Sequence, residues 1–181
     1  MLIVVPLILS ACMFDLTGKD TGAKPDDDPV IGTPSCDEFA AEAGFGFFVD
    51  PDMYYVGQSQ FSVPVDMLKV ELFVSKGADP EPHSYWIRDT NYADCHTCVT
   101  LSRGCDELLE NCDKVLLATG GTLEITDNGG VGDAFGGTLT NGQFVEVLID
   151  ESTNQSTVLE GGETCTVANQ LFLVVLLDPD A

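Results

Sequence analysis

Apolar and polar residues alternate with a period of two through much of residues 45–177, which is typical of half-buried β-strands. In Lys69–Val74, for example, Val70, Leu72 and Val74 fall on one face of the strand. The same reasoning predicts strands at Phe45–Val49, Gln58–Val63, Lys69–Val74, Tyr85–Asp89, Val99–Arg103, Lys114–Thr119, Thr122–Thr126 and Phe144–Asp150.

Leu171–Leu177 differs from these runs because it is apolar at every position. The run predicts a central strand covered on both faces, and it is too short to cross a bilayer. A helical pattern occurs only at Asp106–Asn111 and, more weakly, at Asp37–Ala43. Turn signals separate the strands at Asp50–Asp52, Gly77–Pro80, Asp127–Gly130, Asn141–Gly142 and Gly161–Gly162. Many short strands with such punctuation predict an all-β fold, an antiparallel β-sandwich over residues 36–181.

The N-terminus has the pattern of an export signal. Leu2–Leu9 is an apolar run of the length of a signal h-region, although no Lys or Arg precedes it. Leu9-Ser10-Ala11-Cys12 follows, and it resembles a bacterial lipobox. The resemblance implies that residues 1–11 are a signal peptide and that Cys12 carries lipid as the first mature residue. The alternative is a buried N-terminal strand with a cysteine that occurs there by chance.

Residues 12–35 are rich in Gly, Pro and Asp and poor in large apolar side chains, so we expect a disordered acidic linker. Fully extended, residues 13–35 would reach about 70 Å. Met13, rather than Asp, follows Cys12, which resembles the sorting pattern of outer-membrane lipoproteins. The expected location is the outer membrane, on its surface or periplasmic face, with the membrane contacted through the lipid.

The charge excludes one class of partner. Thirty acidic residues against seven basic ones give a net charge of −23. Nucleic-acid binding needs a footprint of Lys and Arg, so no nucleic-acid partner is expected. The acidity favours solubility in a salty or calcium-rich exterior, and a dedicated cation site is the alternative.

Export also decides how the cysteines are interpreted. With Cys12 lipidated, six cysteines remain, and an oxidising compartment favours three disulfides. If residues 99–103 form a strand, Cys98 and Cys105 lie roughly 23 Å apart, too far to pair. Cys105 and Cys112 flank one short connection and are the preferred pair. The other two bridges use Cys36, Cys95, Cys98 and Cys165, either as Cys95–Cys98 with Cys36–Cys165 or crosswise.

Three other uses of the cysteines fit the sequence less well. A structural zinc site would need two closely spaced pairs, and only Cys95-x-x-Cys98 qualifies. A c-type haem needs His directly after the second cysteine, where this chain has Val99. A thioredoxin-like pair needs a helix after the first cysteine, whereas a β-rich segment follows here.

No catalytic motif is present. The two histidines, His83 and His96, lie in no zinc or triad pattern, and the sequence has neither a nucleophile elbow nor a phosphate loop. We therefore predict that the protein is not an enzyme.

Two binding hypotheses remain. Calcium takes oxygen ligands on bent loops, and the candidate ligands are Asp50, Asp52, Asp127, Asn128 and Asp133. Aromatic side chains able to stack on sugar rings are Tyr54, Tyr55 and Trp86, with Tyr85 and Tyr92 nearby in sequence. In both cases the plainer interpretation, turns and core aromatics, competes.

The chain beyond the lipobox is similar to uncharacterised cysteine-rich predicted lipoproteins of myxobacterial-type bacteria. The similarity is carried by the segments 91–99, 121–126 and 145–150, with Ser156-Thr157 soon after, and it implies no specific activity. The sequence thus predicts a surface-anchored lipoprotein with a role in binding, adhesion or envelope structure. A calcium-dependent carbohydrate-binding module is the alternative, and an extracellular hydrolase comes third.

Overall fold

A computed structural model of the chain describes residues 36, 39–60, 62–109 and 111–180. This part of the chain contains no α-helix and has one 3-10 turn, Val74–Lys76. Its nine strands are β1 (Ala43–Val49), β2 (Asp52–Gln58), β3 (Val65–Leu72), β4 (Ser84–Trp86), β5 (Thr97–Cys105), β6 (Lys114–Asn128), β7 (Ala134–Ile149), β8 (Ser156–Val158) and β9 (Thr164–Leu177).

Seven strands form a hydrogen-bonded ring in the order β6–β5–β3–β2–β1–β9–β7, and β7 pairs back onto β6. Every pairing in the ring is antiparallel except the short parallel contact between β1 and β9. The two short strands extend the ring, β4 alongside β6 and β8 alongside β7. The predicted all-β, mostly antiparallel and disulfide-braced architecture is therefore confirmed, with its layers joined in one continuous sheet.

The core lies inside this sheet and follows from the period-two pattern. Leu68, Val70 and Leu72 of β3 point inward and are 0% exposed. Facing strands contribute Leu101, Leu123, Phe135 and Phe144, all fully buried. Each such side chain contributes about 1.5–3 kcal/mol by leaving water, which makes the inward positions of the strands the main source of stability.

The β6–β7 hairpin is longer than the sequence predicted. Asn141–Gly142, expected to be a turn, lies inside β7, whereas the turn expected at Asp127–Gly130 corresponds to the connection between β6 and β7 at residues 129–133. Gly121 (φ 113°) and Asn141 (φ 51°) face each other at a shift of register, where both strands bend. A Cβ on Gly121 would come within 2.7 Å of the Asn141 carbonyl oxygen. The turn-forming residues here make a bulge rather than a chain reversal.

Three predicted elements were wrong or misplaced. In the predicted helix Asp106–Asn111, the described residues 106–109 and 111 are not helical, because the Asp106 carboxylate accepts hydrogen bonds from the backbone N–H of Leu108 and the side-chain amide of Asn111. Such local bonds compete with helix formation. Gln58–Val63 was placed too late, since β2 ends at Gln58. Of the weakly predicted helix Asp37–Ala43, residues 39–42 are irregular and Ala43 begins β1.

The prediction that Leu171–Leu177 is covered on both faces was also wrong. The run forms the end of β9, which lies between β1 and β7, and Phe172 and Leu176 point into the core. Leu171, Leu173 and their alternate neighbours remain exposed on the other side of the sheet. No second layer of the described chain packs against that side.

The N-terminal predictions lie outside the described residues: the signal peptide 1–11, the lipidated Cys12 and the linker 12–35. The described chain begins at Cys36, which is bonded to Cys165 near the start of β9, with Cα atoms 5.3 Å apart. Within the described residues, no helix has the length and apolarity needed to cross a membrane.

Candidate binding cleft

A cleft of about 620 Å³ lies on the outer surface of the sheet. Its floor is formed by β3, β5, β6 and β7, and two loops form its walls, residues 105–113 and 150–159. The lining mixes apolar and polar side chains, among them Met67, Lys69, Tyr92, Thr100, Ser102, Leu109, Asn111, Val115, Glu146, Val147 and Leu159.

The floor consists of side chains that point away from the core. Thr100 and Ser102 of β5 are 3% and 6% exposed, although they lie on the outer face of the sheet. They pair across to Lys69 and Met67 of β3. Buried hydroxyls on the outer face are unusual in a sheet that has one solvated side, where polar residues face water. They give the cleft a floor able to form hydrogen bonds.

The first wall is the loop from Cys105 to Asp113, closed by the Cys105–Cys112 disulfide. Leu109 has a positive φ of 59°, and its side chain contributes to the cleft lining. At the base of the loop, the Gly104 N–H donates to the Asp66 carboxylate at 3.0 Å. The disulfide and this hydrogen bond brace the base of the first wall.

The second wall is the turn that follows β7. The Asp150 carboxylate accepts hydrogen bonds from the hydroxyl and N–H of Ser152 and from the N–H of Thr153. These bonds, led by that of the Ser152 hydroxyl, hold the pKa of Asp150 below its usual value. The turn is thus stabilised by local hydrogen bonds to the Asp150 carboxylate and does not depend on packing against the core.

A buried polar group lies at one end of the cleft. Glu71 of β3 is 3% exposed, and its Oε1 accepts a hydrogen bond from the Tyr92 hydroxyl at 2.9 Å. The Lys69 ammonium lies 3.4 Å from the same oxygen. Burial, and next the charge of Glu71, raise the pKa of Tyr92 far above its ordinary value. Tyr92 therefore stays protonated and donates to the carboxylate.

The Cys95–Cys98 disulfide lies against this group. Cys98 pairs with Glu71 across the β5–β3 ladder, and both cysteines are buried beside Phe73, Tyr54 and Tyr92. The bridge follows Tyr92 in the chain, and both of its cysteines belong to the buried cluster that Tyr92 packs against at the outer face of β3. It thereby positions one lining residue of the cleft.

At the end of the cleft opposite Glu71, charged side chains form a network of ion pairs. Glu163 bridges Arg103 and Lys114, with an N–O distance of 2.8 Å to each. The hydrogen bond to Glu163 raises the pKa of Lys114. Glu146 accepts the Glu163 N–H at 2.7 Å and so joins β7 to the start of β9. The network fixes the positions of the strands that carry the second wall.

The six cysteines predicted to form disulfides are all paired in the structure. Cys105 is bonded to Cys112, and the four cysteines whose partners were left open form Cys36–Cys165 and Cys95–Cys98, not the crosswise pairs.

The predicted calcium ligands are not brought together. Asp52 accepts hydrogen bonds from the N–H and hydroxyl of Ser75, and Asp133 accepts one from the Gly130 N–H. Asn128 donates to the Pro80 carbonyl oxygen, and Asp127 accepts from Thr126. Asp50 begins the turn between β1 and β2. Within the ranges that the structure describes, no group of three or more acidic, His or Cys side chains has the geometry to hold a metal ion.

The three predicted stacking aromatics are separated. Tyr55 is 3% exposed and stacks on Phe172 in the core at 4.8 Å, so it cannot reach a ligand. Tyr54 is half-buried and stacks on Phe47. Trp86 is 74% exposed on β4, which contradicts the expectation that an aromatic residue within a strand is partly buried. Strand β4 is short and lies at the margin of the sheet, so its outward side chain has nothing to pack against.

Sequence reasoning missed the cleft itself. Its one signal was the segment Val99–Ser102, in which the hydroxyl residues Thr100 and Ser102 alternate with the apolar Val99 and Leu101. That alternation predicts a strand with one wet face, whereas the wall loops and Tyr92 bury both faces. Loops that fold back over a sheet leave no periodic trace in the sequence.

Comparisons with protein-family models, with curated proteins and with solved structures gave no match.

Proposed function

We propose that the protein is a lipid-anchored binding module of the bacterial cell envelope and that its ligand occupies the cleft between residues 105–113 and 150–159. The observation that carries the proposal is the buried hydroxyl floor. Thr100 and Ser102 face a concavity of about 620 Å³ rather than the core or open water. Pockets of this size, with apolar walls and a few convergent polar groups, are the usual form of ligand sites.

The lining supports recognition rather than catalysis. It contains no histidine, and its cysteine, Cys112, is held in a disulfide. Its cations have acidic partners, Lys69 with Glu71 and Lys114 with Glu163. Such a surface favours a neutral or mixed-charge polar ligand, for example a glycan or a peptide of a neighbouring envelope component.

The test compares the wild-type domain with a cleft variant on glycan and peptide arrays. Ser102→Leu places an apolar side chain on the floor, and Thr166→Leu makes the same kind of change at an exposed position of β9 away from the cleft. We expect array signals that disappear in Ser102→Leu and persist in Thr166→Leu, with both variants retaining the wild-type circular dichroism. Signals that survive Ser102→Leu would place the binding surface elsewhere.

The anchoring part of the proposal has its own test, the intact mass of the mature protein isolated from its membrane. The lipobox pattern predicts a chain that starts at Cys12 and carries a lipid-sized increment. Reduction should add six hydrogens, two for each bridge. A protein without the increment would remove the membrane anchor from the proposal and leave the binding module to be tested alone.

A carbohydrate-binding module is the second candidate, and the exposure of Trp86 favours it. Trp86 pairs with Thr122, which pairs with Thr140, which in turn pairs with Asn169. One row of the sheet thus presents an indole ring followed by two hydroxyls and an amide. A flat aromatic ring next to hydrogen-bonding groups matches the apolar face and hydroxyl rim of a sugar.

Trp86 is the chain's single tryptophan, so its fluorescence reports on this surface alone. Titration with soluble polysaccharides should shift or quench the emission in wild type, first with calcium and then with EDTA. A shift in both conditions supports carbohydrate binding without calcium, and a shift only with calcium supports the calcium-dependent form. Unchanged emission with every polysaccharide would count against this candidate.

A further inference from the structure

The outer side of β9 carries a row of exposed apolar side chains. Leu171, Leu173, Val175 and Leu177 are 67%, 65%, 58% and 58% exposed, and they alternate with the core residues of the same strand. On the neighbouring strand β1, Phe45 and Val49 are 40% and 47% exposed. These six side chains are here named the β9 face. Apolar patches of several hundred Å² on soluble domains commonly mark interaction sites.

Folding alone does not account for these side chains. Phe172, Val174 and Leu176 already give β9 its contribution to the core. Two outward positions of the adjacent strand β7 are polar, Thr138 opposite Leu171 and Thr140 opposite Asn169. Threonine forms strands as readily as the branched apolar residues do, so it would satisfy the same backbone on β9 while facing water.

The local shape of the sheet keeps the β9 face shallow. Gly136 of β7 lies opposite Leu173, and a Cβ at Gly136 would come within 2.6 Å of the Leu173 Cδ1 atom. The missing side chain therefore leaves the space into which Leu173 leans. The result is a flat apolar strip rather than separate projecting side chains.

The charges around the strip have one sign. Strands β1, β7 and β9 contain no Lys or Arg, and β9 contains no charged residue at all. Glu124 of β6 pairs with Thr138, the partner of Leu171, and Asp127 pairs with Gly136, the partner of Leu173. Two strand spacings separate the Cα atoms of these residues from those of the leucine row by roughly 10 Å. The Asp127 carboxylate comes nearer, since its Oδ2 atom and the Leu173 Cδ1 atom lie 3.4 Å and 2.6 Å from the position of a Cβ on Gly136.

This pattern decides between the possible occupants. A second copy of the chain would bring the same carboxylates and a net charge of −23 against this face. An anionic membrane surface would be repelled in the same way. A segment that presents apolar side chains in one row and cations in another would satisfy both features at once.

We propose that the β9 face binds a cationic amphipathic polypeptide segment of another protein, with its apolar side chains over Leu171–Leu177 and its Lys or Arg side chains facing Glu124 and Asp127. This surface uses different strand segments from the cleft and does not depend on a ligand there. It gives the domain a second contact, suited to a basic partner at the cell surface.

The probe is a labelled peptide of about 12 residues that alternates Leu and Lys, with fluorescence anisotropy as the readout. A second peptide that alternates Ser and Lys has the same charge and controls for attraction to an acidic protein. At about 0.15 M salt, where long-range attraction is screened, we expect the Leu-Lys peptide to bind at least about tenfold more tightly. Equal binding of the two peptides would overturn the proposal, because net charge alone would then explain it.

Variants locate the contact. Leu171→Thr/Leu173→Thr keeps β-forming residues while removing apolar surface, and it should abolish the preference for the Leu-Lys peptide. Glu124→Gln/Asp127→Asn should weaken its binding about threefold or more. The matched control, Val63→Thr, changes an exposed apolar residue outside both the β9 face and the cleft and should bind as wild type does. A control variant that loses binding as the face variant does would contradict the assignment.

Two further measurements test the other occupants. Sedimentation of wild type without peptide should show a monomer, and a dimer that Leu171→Thr/Leu173→Thr dissociates would assign the face to self-association instead. Flotation with phosphatidylcholine vesicles should leave the unlipidated domain unbound. Vesicle binding that the same variant abolishes would assign the face to the membrane and overturn the proposal.

Discussion

At the scale of single residues, the carboxylate of Glu71 is a charged group buried inside the domain. A buried charge must be compensated by hydrogen bonds or by an opposite charge. Glu71 Oε1 has both, from Tyr92 and Lys69, whereas the buried Oε2 atom has no hydrogen-bond partner within the described residues. The Tyr92 hydroxyl therefore supports the one carboxylate oxygen that is satisfied.

Tyr92→Phe removes this donor and leaves the carboxylate buried. We expect the free energy of unfolding to fall by about 1–3 kcal/mol, the usual cost of leaving a buried polar group unpaired. Urea denaturation followed by circular dichroism measures it. Tyr54→Phe is the matched control, because the Tyr54 hydroxyl makes no hydrogen bond in the described part of the chain. Adding Glu71→Gln to Tyr92→Phe should recover part of the loss, since a neutral amide tolerates burial better.

The raised pKa values of the chain's four tyrosines predict how its stability changes at alkaline pH. Burial is the largest cause that raises the pKa of Tyr54, Tyr55, Tyr85 and Tyr92 in the folded protein. The unfolded chain loses these protons near pH 10 while the folded chain keeps them. Stability is therefore complete below about pH 10 and falls as the pH rises beyond it. Tyrosinate absorbance should appear together with unfolding, and ionisation well before unfolding would contradict this account.

At the scale of elements, period-two patterning located most strands, because inward and outward positions differ in polarity wherever one face is wet. It failed where tertiary structure changed that relation. Asn141–Gly142 carries turn residues yet bends a continuous strand, since Gly121 opposite it accepts a matching distortion. Leu171–Leu177 is apolar on both sides although the fold covers only one. The cleft depends on loops whose return over the sheet no local pattern encodes.

The disulfides brace elements separated by very different lengths of chain. Cys36–Cys165 spans 129 residues, and Cys105–Cys112 spans 7. Loop-closure entropy predicts stabilisation of about 5 kcal/mol for the first bridge and about 2.5 kcal/mol for the second. Cys36→Ala/Cys165→Ala should therefore lower the free energy of unfolding about twice as much as Cys105→Ala/Cys112→Ala does. Equal losses in urea titrations would show that local strain, and not chain entropy, sets these values.

The two variants should also differ in what they do to the cleft. Cys105–Cys112 closes the first wall, so its removal should weaken ligand binding at temperatures where the domain is still folded. Cys36–Cys165 joins the chain before β1 to β9, away from the cleft. Its removal should lower the melting temperature while leaving the affinity of the folded domain unchanged. An equal loss of affinity in the two variants would show that the first wall has no specific part in the ligand site.

At the scale of the whole molecule, the net charge of −23 is the dominant feature. Like charges repel each other in the compact state and less so in the expanded unfolded chain. The basic side chains that counter this repulsion are few, and Arg103 and Lys114 are concentrated in one network with Glu146 and Glu163. Most of the acidic surface therefore has only solvent ions as its counter-charge.

Dissolved salt should accordingly stabilise the domain. The screening length falls from about 30 Å at 0.01 M to about 8 Å at 0.15 M ionic strength, so most of the repulsion is removed over this range. We expect the melting temperature to rise by about 2–5 °C between these concentrations of NaCl, equivalent to roughly 1 kcal/mol. A comparison of two divalent cations distinguishes general charge screening from the binding of a specific ion. Because no group of acidic side chains within the described residues has the geometry to hold a metal ion, CaCl₂ and MgCl₂ at equal ionic strength should raise the melting temperature by equal amounts. A rise specific to calcium and reversed by EDTA would instead show a bound ion, by the linkage between ligand binding and stability.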